Sequence, residues 1–352
     1  MSEIPRDEQI KDAVRQSYGS IARRFTEEPA PGTGQERATE KPARSSCCGP
    51  SRAPAPRQST SCCGTSRVTI RQRSASCCGP GRAAGARQSA GCCGPTQATG
   101  ERTTAAARFY SSAELADLPD TVTEASLGCG NPIAIAELKP GEVVLDLGSG
   151  GGIDCFLAAR QVGPQGRVIG LDMTPDMIVL ARRNAKKVGA ENVDFRYGEM
   201  EEIPLPDGSV DAILSNCVIN LSPDKDAVFG EAYRVLRPGG RMNVSDMVVD
   251  GDLPPAVRDS LNAWAGCIAG ALDESDYLDK IRAAGFEQVE VLSRAYATAD
   301  QVAEDAQILV VGPDGQVVDG EQAQALLAES GISAGQLAQK VASIKVRAYK
   351  PG

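Results

Sequence analysis

The 352-residue chain has no histidine. That absence excludes a histidine general base, a histidine-containing triad and any imidazole-ligated metal. Aromatic residues make up 4% of the chain, with a single tryptophan, which is thin for a base-stacking surface. There is no run of about 18 apolar residues, and the opening MSEIPRDEQIKDAVRQS is charged where a signal peptide has its apolar stretch. A cytoplasmic protein without membrane association is expected. In that reducing compartment the 12 cysteines point to metal binding or catalysis and not to structural disulfides. Hydrophobic residues at 41% and charged residues at 24% are ordinary for a folded protein, and the length allows one catalytic core plus a substantial appendage.

Acidic residues are missing from one stretch altogether. Residues 41–100 hold nine basic residues and no Asp or Glu, so the rest of the chain carries −18 against the −9 of the whole. The same stretch has no Phe, Trp, Tyr, Leu or Met, and only Val68 and Ile70 as large apolar side chains. It cannot bury enough surface to offset the entropy of ordering, so a disordered arm is expected. Cys47-Cys48-Gly49 recurs as Cys62-Cys63-Gly64, Cys77-Cys78-Gly79 and Cys92-Cys93-Gly94, a period of 15. Solenoid repeats carry an apolar pattern for stacking on their neighbours and these do not, which reads as a thiol-bearing tether. Its arginines bind phosphate regardless of sequence, but the lack of aromatics and the acidic remainder argue against a nucleic-acid partner.

Ahead of the arm, Ile10, Val14, Tyr18, Ile21 and Phe25 fall at helical spacing, on a segment that either docks on the core or stands free. From about residue 105 strand and helix signals alternate. Val143–Leu147 is a buried-strand run, followed by Gly148-Ser149-Gly150-Gly151-Gly152 and a helix over 153–161. Arg167–Asp172 is the next strand, and Thr174-Pro175-Asp176 opens a helix that Gly189 stops. Further strands are expected over 193–197, 210–215, 242–247 and 289–292, with helices over 223–236 and 276–284. The pattern predicts an α/β fold with a doubly wound, mostly parallel sheet. The organisation expected is an N-terminal helical segment (1–40), the Cys-repeat arm (41–104), the core (105–296) and a small C-terminal extension (297–352) whose local signal is weak.

The glycine loop distinguishes two cofactor classes. The dinucleotide pattern G-x-G-x-x-G needs glycine at position 153, where Ile153 stands. The run Asp146 to Gly152 instead reads D-x-G-x-G-x-G, the S-adenosylmethionine pattern, with small residues for close backbone approach and an acid at the strand end to face an ammonium group. Asp172, twenty residues past Gly152, is placed to accept from both ribose hydroxyls. Met173 beside it can pack on the adenine, and G-E-M-E at 198–201 adds to the set.

Four cysteines lie beyond the arm: Cys129 in S-L-G-C-G-N-P, Cys155 in the helix after the glycine loop, Cys217 in L-S-N-C-V-I-N-L, and Cys267 in W-A-G-C-I-A-G-A. Cys217 follows the fourth strand, at the sheet edge where open α/β folds bind ligands. Cys129 is flanked by glycines that leave its thiol accessible. The wide separations do not resemble the C-x-x-C pairs of a zinc ribbon. Cys155 reads as a small buried hydrophobe.

These segments, with V-L-D-L-G-S-G-G-G-I-D-C, G-L-D-M-T-P-D-M, E-A-Y-R-V-L-R-P-G-G and G-C-I-A-G-A-L, resemble the arsenite methyltransferase family of class I S-adenosylmethionine-dependent enzymes. The resemblance runs through about residues 120–290. It implies a Rossmann-like fold, methyl transfer to As(III), and arsenite as the small-molecule partner. It implies Cys129, Cys217 and Cys267 as arsenic thiolates, with a cysteine of the last repeat pair, Cys92 or Cys93, as a further candidate. It also implies cofactor contacts at Asp146, Gly148, Ser149, Gly150, Gly152, Asp172, Met173, Met200, Glu201 and Asn216, and a thiol reductant, glutathione or thioredoxin, as co-substrate. The composition is compatible: As(III) attacks through its own lone pair, so no proton need be removed and no histidine is missed. Two other classes stay open, a C-methyltransferase of the quinone-biosynthesis type, which gives the core cysteines no role, and a metalloid-sequestering protein in which the tether does the binding. An intact D-x-G-x-G-x-G with Asp172 argues against the second.

Overall fold

The computed structural model describes residues 6–26, 104–251, 270–296 and 334–352. The repeat arm expected to be disordered, its Cys92 and Cys93, and Cys267 lie outside the described residues. The chain divides into two units, Met1–Glu28 with Arg102–Gly352, and Pro29–Glu101. All of the described residues belong to the first unit.

Its helices are α1 (Arg6–Thr26), α2 (Ser112–Leu115), α3 (Asp120–Thr123), α4 (Ile133–Ala136), α5 (Ile153–Val162), α6 (Pro175–Val188), α7 (Lys225–Val235), α8 (Glu274–Ala283) and α9 (Ala334–Lys340). Its strands are β1 (Val143–Leu147), β2 (Arg167–Asp172), β3 (Val193–Tyr197), β4 (Val210–Asn216), β5 (Leu236–Val249), β6 (Glu287–Tyr296) and β7 (Val341–Tyr349). They form one sheet in the order β3-β2-β1-β4-β5-β7-β6. The first five are parallel, and β7 runs antiparallel between β5 and β6. The strand order reverses between β1 and β4, so the crevice for a ligand opens at their carboxyl ends.

Side-chain alternation sorts β1 onto two faces. Leu145 and Leu147 enter one core with Phe229, Tyr277 and Val244, while Val144 enters the other with Phe156, Ala158 and Leu214. Asp146 therefore points to the same face as Val144, toward α5. The helix stops act where the sequence places them: Gly189 closes α6 at φ 71° and Gly163 follows α5. Pro238-Gly239-Gly240, between the expected helix over 223–236 and strand over 242–247, instead lies inside β5, and the pairing slips between Val210 and Ala212 to absorb it.

The N-terminal segment docks. Ile10, Val14, Ile21 and Ala22 of α1 are buried, the last two against Met177 and Leu180 of α6. Burying each large side chain is worth roughly 1.5–3 kcal/mol. The partly exposed pairs of Lys11 and Arg15 with Glu199, and of Arg23 with Asp176, are worth about 0–1 kcal/mol apiece. The apolar stripe therefore holds the helix and the charges orient it. At the other end of the chain, Val341–Tyr349 comes from the segment expected to be an extension, yet it pairs with both β5 and β6 and completes the sheet. No helix among the described residues is long and apolar enough to cross a membrane.

Candidate active site

A cleft lined by Gly148, Gly150, Leu171, Asp172 and Met173 opens over the carboxyl ends of β1 and β2. Its floor is the glycine loop. Gly152 caps α5 at φ 98°, and a Cβ there would lie 2.8–2.9 Å from Phe156 and Phe195. Gly150, at φ 49°, has no atom within 4 Å of the Cβ position, so its outer face is open to a ligand. Val14 and Tyr18 of α1 form a wall opposite. The helical spacing of those two residues was legible, but their place over this loop was not.

Of the expected cofactor residues, Gly148, Gly150, Asp172, Met173 and Met200 line the cleft. Asp172 is buried; its Oδ2 accepts from the Gly150 amide at 2.9 Å and its Oδ1 from the Thr174 amide at 2.8 Å. The Thr174 side chain also hydrogen-bonds this carboxylate, which leaves it room for a further donor. Ser149 gives its amide to the Leu171 carbonyl, and its buried Oγ has no hydrogen-bond partner among the described residues. The remaining residues are turned elsewhere. Asp146 lies beneath the loop and accepts from the Cys155 thiol at 3.1 Å; burial, then Asp154 and Asp172, push its carboxyl well above the usual range. Cys155 is thus buried as expected, but as a donor to a carboxyl. Glu201 accepts from Ser222 Oγ at 2.7 Å and pairs with Lys11 at 3.3 Å. The Asn216 amide serves Tyr110, Gly130 and Asp154.

Two of the predicted thiols come together. Ligand atoms of Cys129, Cys217 and Asp246 all lie within 4.8 Å of one another. Cys217 leaves β4 in the left-handed region at φ 62°, a conformation that costs a non-glycine residue about 1–2 kcal/mol. Its amide donates to the Ser245 carbonyl at 2.7 Å, and the next residue, Val218, both lines the cleft and packs on Gly148. Cys129 is half-buried, with its thiol 3.6 Å from the same Ser245 carbonyl and its own carbonyl accepting from Ser343 Oγ at 2.9 Å. The flanking glycines act by close approach and not by exposure: a Cβ at Gly128 would lie 2.4–2.8 Å from the Asn216 amide, and one at Gly130 would lie 1.8 Å from Ser245 Oγ.

Asp246 was not foreseen. It sits inside β5 on the face of Val244 and Val248, wholly buried among apolar residues. Burial pushes its carboxyl up to about 6 against hydrogen bonds from Met247 and Tyr277 and the charge of Lys225. Tyr277 OH donates to Oδ2 at 3.0 Å and Asn220 Nδ2 to Oδ1 at 2.9 Å. Burial first, then Asp246, raise the Tyr277 hydroxyl, with Cys129 and Cys217 adding to the effect. The signal in V-S-D-M-V was a lone acid in a strand, and only the sheet register aims it at the thiols.

Residues 138–285 match the family model described as a methyltransferase domain. The chain is 50% identical over 189 residues to an arsenite methyltransferase of Halobacterium salinarum, covering 54% of this chain and 48% of the relative. It is 41% identical over 154 residues to an arsenite methyltransferase of Homo sapiens, covering 41% and 40%. The chain thus spans about half the length, or less, of these curated relatives. Among solved structures it is similar to an arsenic(III) S-adenosylmethionine methyltransferase from Chlamydomonas reinhardtii, with TM-score 0.53 and 38% identity, covering 68% of this chain and 73% of that one. With that coverage and identity, and with two of its cysteines gathered beside the glycine-loop cleft, the chain belongs to the arsenic(III) S-adenosylmethionine methyltransferase family.

Proposed function

We propose that this protein methylates arsenite, with As(III) held by the thiolates of Cys129 and Cys217 and, as the family resemblance implies, Cys267. The observation that carries the reading is the thiol pair within 4.8 Å at the same sheet edge as the glycine-loop cleft, with Val218 bridging the two. A quinone C-methyltransferase needs no such pair. A sequestering protein needs no intact cleft.

The cleft fits S-adenosylmethionine on its own features: the open face of Gly150, the room Asp172 keeps for a further donor and the orphaned Ser149 hydroxyl. Asp172 would hold the ribose, Met173 and Met200 the adenine, and Gly148 to Gly150 the methionine part. When bound, the cofactor supplies an electrophilic methyl on a sulfonium. The protein contributes orientation and dryness. Loading arsenite joins each thiol to arsenic as a hydroxide leaves with the thiol proton as water, so no net charge is placed in the pocket. Soft, three-coordinate As(III) keeps a lone pair for attack, and the wall formed by Val14 and Tyr18 shields the cleft from water. The buried acids near the loop attract a cationic cofactor, but that attraction weakens as the sulfonium is neutralised, so they favour binding over rate. Methyl transfer leaves arsenic formally oxidised by two electrons, and two thiol groups, from glutathione or the dithiol of thioredoxin, return it to the trivalent state as they are oxidised to a disulfide. The corresponding physiological role is arsenic detoxification.

The test is purified protein with arsenite, S-adenosylmethionine and thiol, the arsenic species being separated and counted. Methylated arsenic from the parent and none from Cys217→Ser is the expected result. Unmethylated arsenite throughout would overturn the reading.

A further inference from the structure

The loop that carries Cys129 is held by one side chain. Asn216 Nδ2 lies 3.0 Å from the Gly130 carbonyl, 3.0 Å from Asp154 Oδ2 and 2.9 Å from Tyr110 OH. The Tyr110 hydroxyl hydrogen is committed to Asp154 Oδ1 at 2.7 Å, so all three partners accept and the two N–H groups of the amide are shared among them. The orientation of the amide is therefore dictated: turned over, its oxygen would face a carboxylate and a carbonyl. On its other side Gly128 lies flat against the amide, where a Cβ would come within 2.4 Å. One side chain thus grips both glycines that flank Cys129.

We propose that Asn216 is a positioning residue of the arsenic site, fixing Cys129 opposite Cys217 and tying that loop to the first turn of α5 behind the glycine loop. This rests on the reading of Cys129 and Cys217 as arsenic thiolates. Three observations carry it. Asn216 directly precedes Cys217, so the residue that grips the Cys129 loop is bonded to the other thiol residue, and the spacing of the two sulfurs is set through a few covalent bonds and one amide. Its backbone is fixed by pairing with Ser245, the residue whose carbonyl meets both cysteines. Its third contact, Asp154, sits in α5 immediately after the glycine loop, wholly buried. The amide therefore links the methyl-acceptor loop to the element that carries the cofactor floor. Its role in this chain is to hold that loop and not to contact the cofactor, whose cleft it does not line.

In a full-length parent whose eight repeat-arm cysteines are changed to Ser, so that only the core thiols bind arsenite, equilibrium binding of arsenite and of S-adenosylhomocysteine is measured for that parent and for Cys217→Ser, Asn216→Ala, the isosteric Asn216→Asp and Tyr110→Phe within it. Asn216→Asp replaces the donor with a carboxylate facing Asp154 and the Gly130 carbonyl. Both Asn216 variants are expected to weaken arsenite binding roughly tenfold or more while S-adenosylhomocysteine affinity stays within about twofold, since misplacement of reacting groups by an ångström is costly. Tyr110→Phe leaves the bond to Gly130 in place and should shift arsenite binding less. Unchanged arsenite affinity in Asn216→Ala overturns the proposal, as does an equal loss of both affinities in the two Asn216 variants, which a merely structural role would produce. If Cys217→Ser binds arsenite as well as the parent, the thiol site itself is wrong, and the proposal falls with it.

Discussion

Cys217 and Ser245 are joined by a 2.7 Å hydrogen bond from the Cys217 amide to the Ser245 carbonyl, and the same oxygen receives the Cys129 thiol at 3.6 Å. Residues far apart in sequence meet because β4 and β5 pair in parallel with Asn216 opposite Ser245, and because the Gly128–Gly130 loop packs closely on both.

Changing Cys129 or Cys217 to Ser removes a soft ligand without changing the shape of the loop, so arsenite methylation should fall by roughly a hundredfold or more while cofactor affinity is nearly unchanged. Initial rates with separated arsenic species check this; full activity in either variant removes that residue from the site.

Asp172→Ala removes the acceptor for two backbone amides of the loop and the group offered to the ribose. Charged acceptors contribute roughly 1.5–3 kcal/mol per hydrogen bond, so cofactor affinity should fall at least about tenfold. Calorimetric titration with S-adenosylhomocysteine reads the change, and an unaltered dissociation constant would remove the ribose assignment.

Tyr18 is the aromatic part of the cleft wall contributed by α1. Truncating it to Ala takes away roughly 1–2 kcal/mol of apolar contact. The expected outcome is a several-fold weaker cofactor with maximal turnover close to the parent's at saturation. A fall in turnover with unchanged cofactor affinity would show that this wall serves the chemistry and not the binding.

Asp154 is buried beside Asn216 and Tyr110, with Glu114 and Asp146 as its charged neighbours; burial pushes its carboxyl up to about 6. In the unfolded chain an aspartate titrates near 3.9. Between those values the folded state keeps the proton and the unfolded state loses it, so stability falls as pH rises from about 4 to about 6 and levels off above. The loss is on the order of 3 kcal/mol. Asp154→Asn cannot ionise, so its unfolding free energy should fall less steeply over that range. Denaturant midpoints across the range measure the difference, and identical slopes would contradict a buried Asp154 whose carboxyl is pushed up.

Much of this arrangement is written locally. The buried run 143–147, the D-x-G-x-G-x-G loop, Thr174-Pro175 with Gly189, and the i,i+4 spacing of Val14 and Tyr18 each act within a few residues, and the elements appear where those signals fall. What was illegible depends on register and distance. Asp146 reads as a strand-end acid, but the period of two turns it toward α5 and Cys155. Glu201 reads as part of a cofactor motif, but Lys11, on a helix nearly two hundred residues earlier in the chain, takes its carboxylate. Asp246 and Asn216 acquire their neighbours only when β5 lies beside β4. The strand at 341–349 falls in the extension whose local signal is weak, and its insertion between β5 and β6 is a long-range pairing with no local sign.

X-ray absorption at the arsenic edge of the arsenite-loaded full-length protein, with the eight repeat-arm cysteines changed to Ser, tests the central claim most directly, because it reads the atoms bonded to arsenic. A first shell of sulfur is expected in the parent, with one sulfur replaced by oxygen in each of Cys129→Ser and Cys217→Ser. An all-oxygen shell in the parent, or a sulfur shell untouched by both substitutions, would contradict the account.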